Sequence, residues 1–204
     1  MPGTAARARL FVAARVPEGH LRALGDAVSP ARPSLGNARW TATANQHLTV
    51  KFLGFTPRAD VDTVAETMAA VARSHCGATV SLGRLGAFPS FRRARVLWAG
   101  VDDPEGALAR LAGALDRAYA ALGWASEERR RYAPHLTIAR FKGIARLDAA
   151  AFPDLPRLEP FRVESMTLYE SVLHPAGARY EVVSEAPLGG PDPPVIDQPP
   201  VGRK

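Results

Sequence analysis

The sequence predicts a protein of mixed strands and helices, either α/β or α+β and not all-β. Three observations carry this: strand-like and helix-like patterns alternate along the chain, helices connect the strands throughout, and one strand pattern occurs twice. The first strand is Leu10-Phe-Val-Ala-Ala-Arg-Val16, and Pro17-Glu18 opens a helix to about Val28. Residues 29–37 hold Pro30, Pro33 and Gly36 and are expected to form a loop. A strand over His47 to Leu53 stops at Gly54. Pro57 starts a helix whose Val61, Val64, Met68 and Val71 fall on one stripe. Residues 79–85 are strand-like, Gly86-Ala-Phe-Pro-Ser90 a turn, and Arg95 to Val101 another strand. Asp102-Asp-Pro-Glu105 is a helix-start signal, with acids beside the positive end of the dipole. The helix presents Leu108, Leu111, Leu115, Tyr119 and Leu122 and ends at Gly123. Further strands cover residues 133–141, 161–171 and 179–184, the last two joined as a hairpin through Pro175-Ala-Gly177.

Composition narrows the class. A chain of 204 residues with 47% hydrophobic and 23% charged residues is room for one domain or two small, closely packed lobes. No apolar run approaches the roughly 20 residues that cross a bilayer, and nothing before Leu10 resembles a secretory segment, so a cytoplasmic location is expected. One cysteine, Cys76, rules out an internal disulfide framework and a multi-cysteine zinc site, and is expected to be inert. The net charge of +6 suits an anionic partner. Only three of the 26 basic residues are lysines (Lys51, Lys142, Lys204), an arginine bias that a GC-rich genome would also produce. From residue 189 the chain is rich in Pro and Gly, so residues 1–188 are expected to form the folded unit and 189–204 a disordered tail.

The repeat is the informative feature. Gln46-His-Leu-Thr-Val-Lys-Phe52 and Pro134-His-Leu-Thr-Ile-Ala-Arg140 share His-Leu-Thr followed by a β-branched residue, in corresponding places of the two halves. Side chains at i and i+2 of a strand share a face, about 7 Å apart. His47 and Thr49 therefore project together, as do His135 and Thr137, while Leu48, Val50, Leu136 and Ile138 point into a core. Packing about a pseudo-two-fold axis would bring two imidazoles and two hydroxyls to one cleft. Phosphodiester cleavage needs a base for the attacking oxygen and an acid for the leaving oxygen, and two imidazoles in opposite protonation states supply both. The threonine hydroxyls suit the non-bridging oxygens. Metal ligation fits poorly, because His20, His75 and His174 lack ligand spacing.

With these motifs in view, the sequence resembles the two-histidine (2H) phosphoesterases, and more narrowly the RNA 2′,3′-cyclic phosphodiesterases also called 2′-5′ RNA ligases. The likeness runs from about Arg9 to Ala186 and includes Arg9-Leu-Phe-Val-Ala13, His47 to Gly54, Leu85 to Ser90, Arg95-Val-Leu-Trp98, Pro134 to Arg140 and Met166-Thr-Leu-Tyr-Glu-Ser171. It implies a bilobal α+β fold of two pseudo-symmetric sheet-plus-helix lobes around a central cleft. It also implies hydrolysis of RNA 2′,3′-cyclic phosphate ends to 2′-phosphomonoesters with no metal or other cofactor. A reverse 2′-5′ ligation accompanies that activity in the family. By the same resemblance His47 is the proton donor to the leaving 3′-oxygen and His135 the acceptor that activates water; the nearly symmetric motifs alone do not order the two. The implied partner is RNA ending in a cyclic phosphate, with tRNA fragments as one candidate, and a monomer needing no membrane or protein partner is expected.

Arg140 follows the second motif and is a phosphate-binding candidate. Simple alternation puts it on the face opposite His135, so a bulge, the strand end or its own length must bring it round. Lys51 falls on the His47 face by alternation and could serve backbone phosphates. Phe52 and Tyr169 are candidates to stack a terminal base, although Phe52 also suits a core position. Tyr132, beside Arg129-Arg-Arg131, could stack another, and Arg92-Arg-Ala-Arg95 is a second basic cluster. Trp40, Trp98 and Trp124 are expected in the core or between lobes. Two other readings stand beside the leading one: a phosphodiesterase of a small cyclic nucleotide such as ADP-ribose cyclic phosphate, and a non-catalytic RNA-binding module.

Overall fold

A computed structural model describes residues 6–124, 132–152, 155, 157–174 and 177–190. The strands are β1 (Arg7–Ala14), β2 (Ala38–Trp40), β3 (Leu48–Pro57), β4 (Ala78–Phe88), β5 (Ala94–Asp102), β6 (His135–Ala145), β7 (Phe161–Val163), β8 (Ser165–His174) and β9 (Gly177–Pro187). The helices are α1 (Glu18–Val28), α2 (Val61–Arg73) and α3 (Ala107–Ala121). Alternating apolar positions make the strands, and the helical stripes bury Leu21 and Leu24, Val64 and Met68, and Leu108, Leu111 and Leu115. Asp103 accepts from the N–H groups of Ala107 and Leu108 at 2.9 and 3.0 Å, satisfying the first turn of α3.

All pairings are antiparallel, in the order β7-β4-β5-β6-β3-β1-β8-β9, with β2 lying along β6. Two four-stranded halves result, β9-β8-β1-β3 and β7-β4-β5-β6, and they join where Leu48 pairs with Leu136. This is the bilobal α+β arrangement expected from the resemblance. Leu48 and Leu136 are fully buried on the side of the sheet that the helices cover, among Leu10, Leu97, Met68, Leu115 and Leu168. Each such leucine contributes about 2–3 kcal/mol through removal of apolar surface from water.

Several local expectations are corrected. β4 runs on through Phe88, because Gly86, Ala87 and Phe88 pair with Trp98, Leu97 and Val96, so residues 86–88 are strand and not turn. A 3-10 turn over Arg58–Asp60 separates Pro57 from α2, and another occupies Ser29–Leu35 in the expected loop. The three-residue β2 was not foreseen; it exists because Ala38 to Trp40 cover the free edge of β6. Of the region expected to be a tail, Gly189 and Gly190 donate backbone N–H groups to the carbonyls of Ala72 and His75. Residues 191–204 and the hairpin residues 175–176 lie outside the described residues. Among the described residues no helix is long and apolar enough to cross a membrane.

Candidate active site

The two motifs meet directly. An antiparallel register centred on Leu48 and Leu136 sets position 47 beside 137 and position 49 beside 135. Since both leucines point into the core, His47, Thr49, His135 and Thr137 all project from the opposite face. The two histidines are diagonal neighbours in this ladder, about 7–8 Å apart at Cα. They are close enough for the charge of His135 to act on His47.

Immediately after each threonine the strand bulges. On β3 the register steps from Ala13↔Thr49 to Val12↔Lys51, leaving Val50 as the extra residue. On β6 it steps from Trp98↔Thr137 to Leu97↔Ala139, leaving Ile138 as the extra residue. A bulge reverses the alternation beyond it, so Val50 and Lys51 are both buried, as are Ile138 and Ala139. The fifth residue after each histidine, Phe52 in one half and Arg140 in the other, then emerges on the motif face. Both are exposed. The β3–β6 pairing is confined to Leu48 and Leu136.

Each imidazole bonds to the backbone two residues upstream. His135 Nδ1–H donates to the Ala133 carbonyl at 2.8 Å, which leaves Nε2 as the ring nitrogen not engaged by the backbone. A ring N–H of His47 bonds to the Asn45 backbone in the same way. Asn45 is itself held by its side-chain amide, which donates to the Ala178 carbonyl on β9 at 3.0 Å.

The surroundings of the two rings differ. Phe11 and Tyr169 stack with His47 at 4.8 and 5.9 Å between centroids, and Tyr180 meets it edge-on at 5.1 Å. Burial in this cluster, more than the bond to Asn45 counteracts, pushes the His47 pKa down to about 4, with the charges of Arg140 and then His135 adding to the effect. His135 is met edge-on by Phe88 at 5.0 Å and lies 6.2 Å from Trp98. Gly86 makes room for that indole, since a Cβ there would collide with it.

Of the other residues expected at the site, Arg140 is delivered by the bulge and is close enough to His47 to disfavour its protonation. Tyr169 lies across from Phe11 in the β1–β8 ladder and contributes to the aromatic wall. Phe52 is 49% exposed and 6.1 Å from Phe11, so it does not fill the core. Lys51 is corrected. The bulge turns it inward, where only 6% of it is exposed and its ammonium pairs with Asp116 on α3. It is a strut between sheet and helix and does not reach the motif face. Tyr132 donates its hydroxyl to the Thr49 carbonyl at 3.1 Å, tying the entry of β6 to β3, and its half-buried ring packs on the core. Trp98 belongs to the His135 side of the site rather than to the core. Arg92, Arg93 and Arg95 are exposed at the β4–β5 end. Arg129, Arg130 and Arg131 lie outside the described residues.

Sequence reasoning missed Phe11, Tyr180, Phe88 and Arg39. Arg39 sits opposite Arg140 in the β2–β6 ladder. Two like charges facing each other across strands disfavour one another and concentrate positive potential beside the motifs. Phe11 stands on the same face as Ala13, the neighbour of Thr49, a placement that depends on the pairing of β1 with β3. Among the described residues no cluster of three or more His, Cys, Asp or Glu could hold a metal ion.

Known proteins resemble the chain in both sequence and architecture. A protein of Geobacillus stearothermophilus named RNA 2′,3′-cyclic phosphodiesterase is 32% identical over 189 residues, covering 91% of this chain. The chain spans 59% of that relative's length. A protein of the same name from Methanothermobacter thermautotrophicus is 31% identical, over 85% of this chain and 95% of its own. Among solved structures, E. coli LigT complexed with 3′-AMP superposes with a TM-score of 0.76 at 25% identity, covering 90% of this chain and 99% of LigT. A Thermus thermophilus protein gives 0.75 at 27% identity, covering 89% of this chain and 98% of its own. The family model of the 2′-5′ RNA ligase superfamily matches residues 17–174, well over half of the sequence, and the chain belongs to that superfamily.

Proposed function

We propose that the protein hydrolyses 2′,3′-cyclic phosphate ends of RNA to 2′-phosphomonoesters by proton transfer between two histidines, without a metal. The observation that carries this reading is the face on which His47, Thr49, His135 and Thr137 stand together where the two halves join. The names of the relatives agree with it. His135 takes a proton from water as the water oxygen bonds to phosphorus. The bond from phosphorus to the 3′-oxygen breaks, and His47 gives that oxygen its proton. Thr49 and Thr137 donate hydrogen bonds to the two non-bridging oxygens as negative charge builds there, and Arg140 neutralises the same charge. Solvent then returns the histidines to their starting states. A 5′-hydroxyl in place of water would form a 2′-5′ linkage by the same transfers.

His47 must hold a proton to act as donor, yet its pKa in the free protein is about 4. The substrate resolves this. A phosphate monoanion about 4 Å from the ring, at an effective dielectric near 20, favours the imidazolium by about 4 kcal/mol. That corresponds to about three pKa units and returns His47 to the neutral range. Proton uptake is thereby tied to binding, and the empty site stays uncharged at His47.

The direct test is incubation with an RNA bearing a 2′,3′-cyclic phosphate, followed by identification of the monoester. The 2′-phosphate is the expected product. A 3′-phosphate would overturn the assignment of the leaving oxygen, and no turnover would favour a non-catalytic RNA-binding module.

A further inference from the structure

We propose that the sheet face leading away from His47 is a platform for single-stranded RNA, on which Phe52 and Phe55 stack successive bases. The protein then acts on oligonucleotide ends in preference to free cyclic nucleotides; this rests on the hydrolytic reading above. A second irregularity on β3 makes the platform. The register steps from Phe11↔Phe52 to Leu10↔Gly54, so Leu53 is the extra residue, and Gly54 adopts φ of +71°, a conformation that glycine takes without strain. In a regular strand, residues 52 and 55 would point to opposite faces. Here Phe52 pairs with Phe11 and Phe55 with Arg9, and positions 9 and 11 share a face, so both phenylalanines stand on the motif side.

Neither ring is covered: Phe52 is 49% and Phe55 66% exposed. The row is continuous with the His47 cluster through the contact of Phe11 with Phe52. Arg9 and Arg7 are exposed on the same side of β1, opposite Phe55 and Pro57, and bring cationic charge alongside the rings. Exposed aromatics interleaved with arginines on an open sheet suit unpaired bases joined by phosphates. A terminal base beside Phe52 would put the preceding nucleotide over Phe55. A free cyclic nucleotide has no second base to place there.

The experiment compares kcat/KM for a trinucleotide and a mononucleotide, each ending in a 2′,3′-cyclic phosphate, in the wild type, Phe55→Ala and Phe55→Trp. The trinucleotide-to-mononucleotide ratio should fall about 5- to 160-fold in Phe55→Ala, the range for one lost base stack, and recover in Phe55→Trp. An unchanged ratio overturns the platform, including the case in which Phe55→Ala alters only sedimentation and so marks a protein contact. If the wild type turns over neither substrate, binding of a 2′-phosphate-ended RNA with 2-aminopurine at the penultimate position decides. Quenching that depends on Phe55 upholds the platform while the hydrolytic reading falls; quenching independent of Phe55 overturns both.

Discussion

The halves around His47 and His135 share a plan and differ in what they add to it. Each has His-Leu-Thr at the start of a strand (His47 just before β3, His135 the first residue of β6), a ring bond to the backbone two residues upstream, and a bulge directly after the threonine. The bulge delivers Phe52 in one half and Arg140 in the other. His47 is walled by Phe11, Tyr169 and Tyr180, whereas the second half sets Arg140 beside Arg39. Around the repeated motif, the His47 side adds a wall of three rings, and the His135 side adds the Arg39–Arg140 pair as well as Phe88 and Trp98. A nucleotide needs both, since its base is an apolar plane and its phosphate an anion.

The largest expected effects lie at the two histidines. His47→Ala and His135→Ala should each lower kcat by about 10²–10⁴-fold, with EDTA leaving the wild-type rate unchanged; a chelator-sensitive rate would revive a metal mechanism. Of the two, His47→Ala should also lose about 1–2 kcal/mol of stability in a denaturant titration, since it empties an aromatic cluster. Next come the threonines. If the halves contribute equally to the oxyanion, Thr49→Val and Thr137→Val should cost similar amounts, about 2–4 kcal/mol in kcat. A large effect at one and none at the other would show that only one half holds the phosphate.

Smaller effects separate the aromatic half by its charge. The folded pKa of His47, about 4, lies below the unfolded value of about 6.5. The unfolded chain therefore takes up the proton first, and stability present above pH 6.5 is lost as pH falls toward 4. Linkage puts the loss at up to about 3 kcal/mol. Chemical denaturation at pH 7 and 4.5 should show it in the wild type and not in His47→Phe. Lys51→Met should cost about 1–2 kcal/mol, because Asp116 loses its cation while remaining partly hydrated. Activity should be nearly untouched, and a collapse in kcat/KM without loss of fold would return Lys51 to the substrate side.

Much of this arrangement was legible from the chain alone. The stripes of α2 and α3 mark those helices because helical burial repeats at a fixed spacing, and Pro17-Glu18 marks the start of α1. The duplicated His-Leu-Thr marks where the two halves join. What eluded the sequence is local: one inserted residue at Val50 sends Lys51 inward and Phe52 outward, the reverse of simple alternation. Bulges leave no compositional trace when the extra residue is an ordinary valine or isoleucine. At Ile138 the same event was needed to bring Arg140 round, and alternation alone could pose that problem without solving it. Phe11 and Tyr180 come near His47 only through pairing across β1, β8 and β9, a long-range fact that no window of sequence contains. Tyr132 looked like a surface ring beside arginines, but its hydroxyl is taken by a backbone carbonyl 83 positions away.

In the proposed reaction the labour is divided: His47 gives the proton to the leaving oxygen and His135 takes one from water. A leaving group that needs no proton tests it directly. In 3′-deoxyadenosine 2′-(p-nitrophenyl phosphate), p-nitrophenolate replaces the 3′-oxygen and departs unprotonated. On this substrate His47→Ala should recover most of the rate it loses on cyclic-phosphate RNA, while His135→Ala stays defective. Equal defects of both variants on both substrates, or recovery by His135→Ala alone, would contradict the assignment.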